Sequence, residues 1–128
     1  MQHSRRRQVK IPSGAALSVH VDEHTPTTER SFIDLAGSVL VGIEMPAGWD
    51  AADITVIGST DGGATSKELV DDGGTAVQFV VAANRLIPVD WAAMLCPRWL
   101  RLRSGTSGTP VNQTADRLIG LVVREQLT

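Results

Sequence analysis

The segment His20-Val21-Asp22-Glu23-His24 holds the most suggestive set of metal-binding residue types in the chain. Side chains two residues apart share one face of a β-strand, so His20, Asp22 and His24 would present two imidazoles and a carboxylate together. Such a set could bind a metal ion and leave a catalytic position open. The segment lies beside a Pro-Thr loop in the least core-like part of the chain, which favours a solvated strand end. We therefore expect no metal ion and no other cofactor.

Covalent catalysis would need an exposed nucleophile held on a tight turn. The chain contains serines and three histidines, but it lacks the Gly-x-Ser-x-Gly pattern of a serine nucleophile. Cys96 stands between Leu95 and Pro97 rather than in a glycine-rich catalytic turn, and we predict that it is a small buried side chain. The sequence therefore predicts a protein that is not an enzyme.

Three polar or aromatic loop residues, Trp49, Asn112 and Gln113, could line a carbohydrate site. The apolar face of a sugar stacks on an aromatic ring, while amide groups take its hydroxyls. Trp91 and Trp99 fall on a short predicted helix and a predicted strand, which favours packing roles for both. A carbohydrate-binding module with a rim of Trp49, Asn112 and Gln113 is the alternative function that the sequence leaves open.

The first thirty residues differ from the rest of the chain and carry a basic run, Arg5-Arg6-Arg7. Three adjacent charges are too few to hold nucleic acid at physiological salt, and the formal net charge of −2 argues against a specific nucleic-acid partner. Val9 and Ile11 alternate with polar residues, as in a strand that adds to the edge of another sheet. We predict that residues 1–30 form an arm plus one early strand, with Arg5, Arg6, Arg7, Val9 and Ile11 contacting a partner protein.

The composition is that of a folded globule with one core. The chain has 128 residues, of which 42% are hydrophobic and 20% charged, and it contains 12 glycines, no tyrosine and two phenylalanines. A core built from Val, Ile, Leu and Ala favours strands. One cysteine excludes an internal disulfide, and no apolar stretch is long enough for a membrane span.

Apolar stretches of strand length recur along the chain between Gly, Pro, Asn and Asp residues, which is typical of an all-β antiparallel sandwich. We predict a jelly-roll-like β-sandwich of about eight strands over residues 31–128. Asp-Gly-Gly turns separate strands at 60–63 and 71–74, because glycine supplies the positive φ of tight turns. The candidate strands are 16–21, 32–35, 39–44, 53–59, 67–70, 77–81, 85–89, 99–103 and 117–124.

Two further patterns refine this picture. In Trp99-Leu100-Arg101-Leu102-Arg103 the leucines alternate with arginines, so one face of that strand is expected to be exposed to solvent. Residues 39–43 and 118–123 are apolar almost throughout and should form central strands, covered on both faces or covered on one by a neighbouring subunit. Short helices are predicted at 50–52, with Asp50 as its cap, and at 90–95, as covers for the ends of the sandwich.

Four stretches, residues 38–49, 59–63, 100–106 and 110–113, resemble a group of small proteins encoded among the virion genes of tailed bacteriophages and prophages. The resemblance spans residues 32–124. It implies a β-sandwich component of the particle, with a structural role on the capsid, neck or tail and with no catalytic residues.

The resemblance and the predicted arm together lead to one functional expectation. We expect a capsid decoration or cement protein, or an anchor for a spike or fibre, that docks through its arm and an apolar sheet face. Its expected partners are the major capsid protein or other virion proteins and further copies of itself, with a trimer favoured. It would assemble in the host cytoplasm and reside on the particle surface, away from membranes.

Overall fold

The computed structural model describes residues 4–21, 29–89 and 92–125. Within these ranges the chain is all-β, and two antiparallel sheets form a β-sandwich, which confirms the predicted fold class. Each predicted strand segment overlaps an observed strand. The strands in chain order are β1 (Ser4–Ile11), β2 (His20–Val21), β3 (Glu29–Arg30), β4 (Ile33–Asp34), β5 (Ser38–Glu44), β6 (Ile54–Ser59), β7 (Lys67–Glu68), β8 (Gln78–Phe79), β9 (Leu86–Pro88), β10 (Trp99–Ser104) and β11 (Arg117–Glu125).

The four-stranded sheet has the order β1-β11-β5-β9. β11 pairs along its length with β1 on one side and with β5 on the other, so the two strands predicted to be central are the interior strands of this sheet. The register between β11 and β5 shifts between Val122 and Val123, which marks a β-bulge.

The five-stranded sheet has the order β4-β10-β6-β7. On the same side of β6, residues 57–58 pair with β7 and residues 54–55 pair with β8. β2 and β3 form a separate two-stranded ribbon. The turns at 60–63 and 71–74 form as predicted, with Gly62, Gly63 and Gly74 at positive φ. In each turn the carboxylate of Asp61 or Asp71 accepts backbone N–H groups of the following residues.

The core lies between the two sheets and follows the period-two alternation of the strands. Leu100 and Leu102 of β10 are fully buried, and so are Leu121 of β11 and Ile43 of β5. Burying an aliphatic side chain of this size contributes about 1.5–3 kcal/mol. The largest contributors to the core are Ile11, Ile33, Leu35, Leu40, Ile43, Ile54, Met94, Leu100, Leu102, Ile119 and Leu121.

Residues 16–19, which we call the bridging segment, connect the two sheets. Val19 pairs with Lys10 of β1 in the four-stranded sheet, whereas Leu17 pairs with Arg103 of β10 in the five-stranded sheet. The N–H of Ser18 donates to the Leu102 carbonyl at 2.9 Å. The segment therefore fixes one edge of each sheet relative to the other.

Residues 4–11 form a strand of the chain's own sheet, where an arm was predicted. All eight residues of β1 pair with β11, Val9 is 3% exposed and Ile11 is fully buried. The alternation of Val9 and Ile11 with Gln8 and Lys10 turns both apolar side chains into the chain's own core, so they are not available to a partner. The division of the chain at residue 30 thus cuts across the four-stranded sheet.

The predicted end-capping helices are reduced to a single 3₁₀ turn at Ala93–Leu95 within the described residues. Residues 50–52 form no helix, and the carboxylate of Asp50 accepts hydrogen bonds from the distant Thr114. Asp90 and Trp91, the start of the second predicted helix, lie outside the described residues. Cys96, predicted to be buried, is exposed.

Candidate docking surfaces

The predicted metal-binding set is only partly described. His20 lies on β2, whereas Asp22 and His24 fall outside the described residues. Among the residues that the structure describes, no group of three or more His, Cys, Asp or Glu side chains is arranged to hold a metal ion. A metal site at His20, Asp22 and His24 is therefore suggested by the sequence pattern alone.

The predicted carbohydrate rim is not formed. Trp49 is 7% exposed, and its indole N–H donates to the Ala52 carbonyl at 3.0 Å. Gln113 is fully buried, and only Asn112 is exposed. A sugar would need the ring face and the amides together at the surface, so these three residues do not make the predicted site.

Gln113 is the centre of a polar cluster at one end of the sandwich. Its side-chain oxygen accepts from the N–H of Asp50 at 2.9 Å and from Nε of Arg117 at 3.2 Å. Its side-chain nitrogen donates to the hydroxyl of Ser104 at 2.9 Å and to the Asp50 carbonyl at 3.2 Å. All the hydrogen-bonding capacity of this buried amide is therefore used. The Gln113 cluster comprises Asp50, Ser104, Gln113, Thr114 and Arg117.

The carboxylate of Asp50 extends the Gln113 cluster to the surface. Its Oδ2 accepts from the N–H of Thr114 at 2.7 Å, from the Thr114 hydroxyl at 2.9 Å and from Arg117 at 3.3 Å. The Thr114 hydrogen bonds, followed by Arg117, lower the pKa of Asp50. The cluster joins loops that are far apart in the sequence, and its role is to position them.

The basic run makes contacts within the chain. Arg6 forms an ion pair with Glu44 at 2.9 Å, and Arg7 donates through its NH1 to the carbonyl of Asp34 on the opposite sheet. Arg5 pairs through its backbone with Val123, while its side chain lies outside the described part of the chain. Arg6 and Arg7 thus make contacts within the sandwich, and their predicted contact with a partner protein stays a prediction.

The outward side of the four-stranded sheet is the first candidate docking surface. Residue pairing places Leu86, Gly42, Val122, Gly120 and Leu118 on this side, which we call the outer sheet face. Leu86 is 68% exposed and Leu118 is 52% exposed. The exposed leucines give this face apolar groups at its borders, whereas Gly42 and Gly120 between them are buried beneath Val122 and the Arg6–Glu44 pair.

The two glycines of the outer sheet face differ in what surrounds them. A Cβ atom at Gly120 would lie 2.9 Å from Nε of Arg6 and 3.1 Å from Cβ of Glu44, so this glycine makes room for the Arg6–Glu44 pair to cross β11. A Cβ atom at Gly42 would meet only ordinary contacts, the nearest at 3.4 Å. Packing within the chain therefore explains Gly120 but does not require Gly42.

The second candidate surface is a groove on the outward side of the five-stranded sheet, which we call the Arg101 groove. It encloses about 490 Å³. Its floor comes from β6 and β10, and its walls come from the bridging segment and the loops at 12–15 and 110–112. The residues that line it are Pro12, Ala15, Ala16, Leu17, Val19, Ile57, Arg101, Arg103, Pro110 and Asn112.

The two arginines of the Arg101 groove have different surroundings. Arg103 is 8% exposed and pairs with Glu68. The face of β10 that was predicted to be exposed to solvent is therefore covered at this position. Arg101 is half-buried, and its Nε donates to the Ser18 carbonyl at 2.7 Å. Removal from water lowers the pKa of Arg101. The alternation in the sequence predicts that Arg101 points outward. It does not predict that the bridging segment and the loops at 12–15 and 110–112 surround it.

Comparisons with protein-family models, with curated proteins and with solved structures found no match for this chain. The resemblance to phage virion proteins therefore stays a prediction from the sequence. In the described residues, no helix has the length and apolar character needed to cross a membrane.

Proposed function

We propose that this chain is a structural, non-enzymatic protein of a tailed-bacteriophage particle. It serves as a capsid decoration or cement protein, or as an anchor for a spike or fibre. On the particle surface it contacts other copies of itself and the major capsid protein or another virion protein. The β-sandwich fold and the sequence resemblance support this proposal, and the outer sheet face is the observation that carries it.

The outer sheet face has the features of a surface on which another polypeptide packs closely. Glycine inside a strand weakens the strand and often marks a site where another backbone approaches. Gly42 is the candidate position on this face: it is buried among its own neighbours, and a Cβ there would meet the Ile87 carbonyl oxygen at 3.4 Å. The exposed Leu86 and Leu118 add apolar area on either side.

A second copy of the same chain is the partner that the charges favour. Arg6 and Glu44 lie next to each other on this face, with side chains 57% and 50% exposed. A face that carries both signs of charge offers a match to the same face, or to a neighbouring part of it, on another copy. We propose a symmetric homo-oligomer, with a trimer as the expected stoichiometry. In a lattice of many copies, weak single contacts suffice.

The oligomeric state of the purified chain tests the interface. Native mass spectrometry and sedimentation velocity should find an oligomer for the wild-type chain and a monomer for Leu118→Asp and Leu86→Asp. Val80→Asp is the matched control, because Val80 is 79% exposed but belongs to a different part of the surface, beside β8. A monomeric wild-type chain, or equal dissociation by the control, would contradict the interface.

Gly42→Ala separates folding from assembly. Replacing glycine by alanine at a compatible position raises stability by about 0.4–1 kcal/mol. We expect the variant to unfold at higher urea concentration while its oligomer dissociates at higher protein concentration than that of the wild type. An unchanged oligomer would show that nothing packs closely over Gly42.

The virion role is tested on particles. Mass spectrometry of purified particles from the host strain that encodes the chain should detect the protein in multiple copies. Particles that lack its gene should lose capsid stability or a surface appendage. Removal of residues 1–13 is unsuitable as a test, because it deletes β1 and with it Val9 and Ile11 of the core. Absence of the protein from intact particles would refute the proposal.

A further inference from the structure

We infer that the Arg101 groove binds an extended segment of a partner protein that carries a carboxylate side chain between apolar residues. The inference rests on the docking role proposed above and assigns the second partner surface. It uses the opposite sheet from the proposed homo-oligomer interface, so one copy could bind another copy and a different virion protein at the same time.

Arg101, unlike Arg103, has no anionic partner among the residues that the structure describes. Arg101 makes no ion pair with any carboxylate in the described part of the chain, and its one hydrogen bond there is to the Ser18 carbonyl. Glu68, the nearby acid, has both oxygens on Arg103. A half-buried guanidinium whose terminal nitrogens have no partner in the described part of the chain matches a carboxylate, which two parallel N–H groups can bind at once.

The groove around that cation is apolar. Ile57 lies beside Arg101 because the two residues are paired across β6 and β10. Leu17 and Val19 of the bridging segment and Pro12 also line the groove. A ligand must therefore place apolar groups on either side of its carboxylate. An extended peptide does so, with an acid at one position and aliphatic residues two positions away on the same face.

Other anionic ligands fit less well. A nucleic-acid backbone needs a series of cations, whereas the described lining of this groove holds Arg101 and the Glu68-paired Arg103, and the chain carries a formal net charge of −2. Asn112 at the rim can donate to and accept from the main chain of a bound peptide, as a strand neighbour would. The combination of one cation, aliphatic walls and one amide favours a protein segment.

A selection from random displayed peptides tests the inference without knowledge of the natural partner. The full chain is immobilised, and a library of displayed peptides long enough to span the groove is selected for binding to it. The same selection is run in parallel on the Arg101→Gln variant. Peptides enriched on the wild-type chain should carry Asp or Glu with Val, Ile or Leu two positions away. Peptides enriched on Arg101→Gln should lack the acid.

The binding constants of one enriched peptide then decide the role of Arg101. Fluorescence polarisation should find affinity reduced about tenfold or more by Arg101→Gln, and by a similar factor when the acid of the peptide is changed to its amide. Arg85→Gln is the matched control, since it removes an exposed arginine outside the groove and should leave affinity unchanged. Arg101→Glu should bind the peptide in which the acid is replaced by lysine, which separates lost charge from lost folding.

Several results would overturn the inference. These are a failure to enrich any peptide, enrichment without an acidic residue, equal affinity for the acid and amide peptides, or tight binding of a labelled oligonucleotide that depends on Arg101. Failure of the proposed function looks different. In that case the groove binds acidic peptides and loses them with Arg101→Gln, but the protein is absent from particles.

Discussion

One terminal nitrogen of Arg103 lies 2.5 and 2.6 Å from the two carboxylate oxygens of Glu68, on the outward side of the five-stranded sheet. Nε of the same guanidinium donates to the Thr55 hydroxyl at 3.1 Å, and that hydroxyl donates to the Gly105 carbonyl at 2.8 Å. The side chains of Arg103 and Glu68 are 10% and 27% exposed. This pair therefore fixes β7 to β10 and keeps Arg103 from serving as the anion receptor of the adjacent groove.

Removing one member of this pair should destabilise the chain. Glu68→Ala leaves the Arg103 guanidinium buried without its anion, and we expect a loss of about 2–4 kcal/mol in urea unfolding. Asp72→Ala, which removes an exposed carboxylate from a turn, should change stability by less than about 0.5 kcal/mol. The double variant Glu68→Leu with Arg103→Met should be more stable than Glu68→Ala alone. Equal stability of Glu68→Ala and the wild type would show that the pair contributes nothing.

The Gln113 cluster makes a second prediction, with the neighbouring residue as its control. Gln113→Leu has similar volume but leaves the Ser104 hydroxyl, the Asp50 N–H and the Arg117 guanidinium without a shared partner. We expect a loss of about 2–4 kcal/mol in the free energy of unfolding. Asn112→Leu changes an exposed amide one position earlier and should stay within about 0.5 kcal/mol of the wild type. If both variants are equally stable, the cluster does not hold the loops together.

Two glycines of one loop should respond in opposite ways to alanine. Gly105 has φ of +89°, and a Cβ there would lie 2.4 Å from the Thr109 carbonyl oxygen and 2.8 Å from the Val111 nitrogen. Gly105→Ala should therefore cost more than about 2 kcal/mol in thermal or urea unfolding. Gly108 has no atom within 4 Å of its Cβ position and no positive φ, so Gly108→Ala should be neutral or slightly stabilising. A tolerated Gly105→Ala would contradict the loop conformation.

Asp61 should titrate far below the usual range. The Thr65 hydroxyl, the Thr65 N–H and the Ser59 hydroxyl lower the pKa of Asp61 from 3.8 to about 2. Because the pKa in the folded chain is the lower one, the ionised carboxylate stabilises the turn fully above about pH 4. That contribution is lost as the pH falls through about 2.

An NMR titration of the Asp61 carboxyl carbon checks this value. Thr65→Val should move the midpoint upward toward 3.8, since it removes the largest cause of the shift. Thr60→Val, an exposed neighbour outside these hydrogen bonds, should leave the midpoint in place. A wild-type midpoint near 3.8 would show that the turn does not hold the carboxylate.

Much of the fold could be predicted because the strands alternate clearly and glycine marks their ends. Leu100 and Leu102 point inward as their spacing predicts, and the turns at 60–63 and 71–74 depend on local chemistry that the residue types reveal. The sequence alone gives a weaker strand signal for β1. Its inward positions include Arg7 as well as Val9 and Ile11, so half of the strand reads as a charged tail until its partner on β11 is known.

The candidate surfaces could not be predicted, because their residues meet only in the folded chain. Asp50 and Gln113 are separated by 63 positions, and the partners of Gln113 convert an amide that looked exposed into a buried one. Arg101 reads as one outward arginine among several. Arg101 becomes a candidate binding residue only because the bridging segment lines the groove around it. Ser18 of that segment lies 83 positions before Arg101 in the sequence.

The order of strands in the four-stranded sheet also governs how the chain can fold as it is made. β11 lies between β1 and β5, and Ser4 pairs with Arg124. Until residues 117–125 leave the ribosome, β1 and β5 lack the strand that joins them, and Leu40 and Ile43 lack their cover on that side. Sheets closed by such distant pairings fold slowly and expose unpaired strands to aggregation meanwhile. Truncated products that end before β11 should therefore be targets of proteolysis, and soluble protein should accumulate only from completed chains.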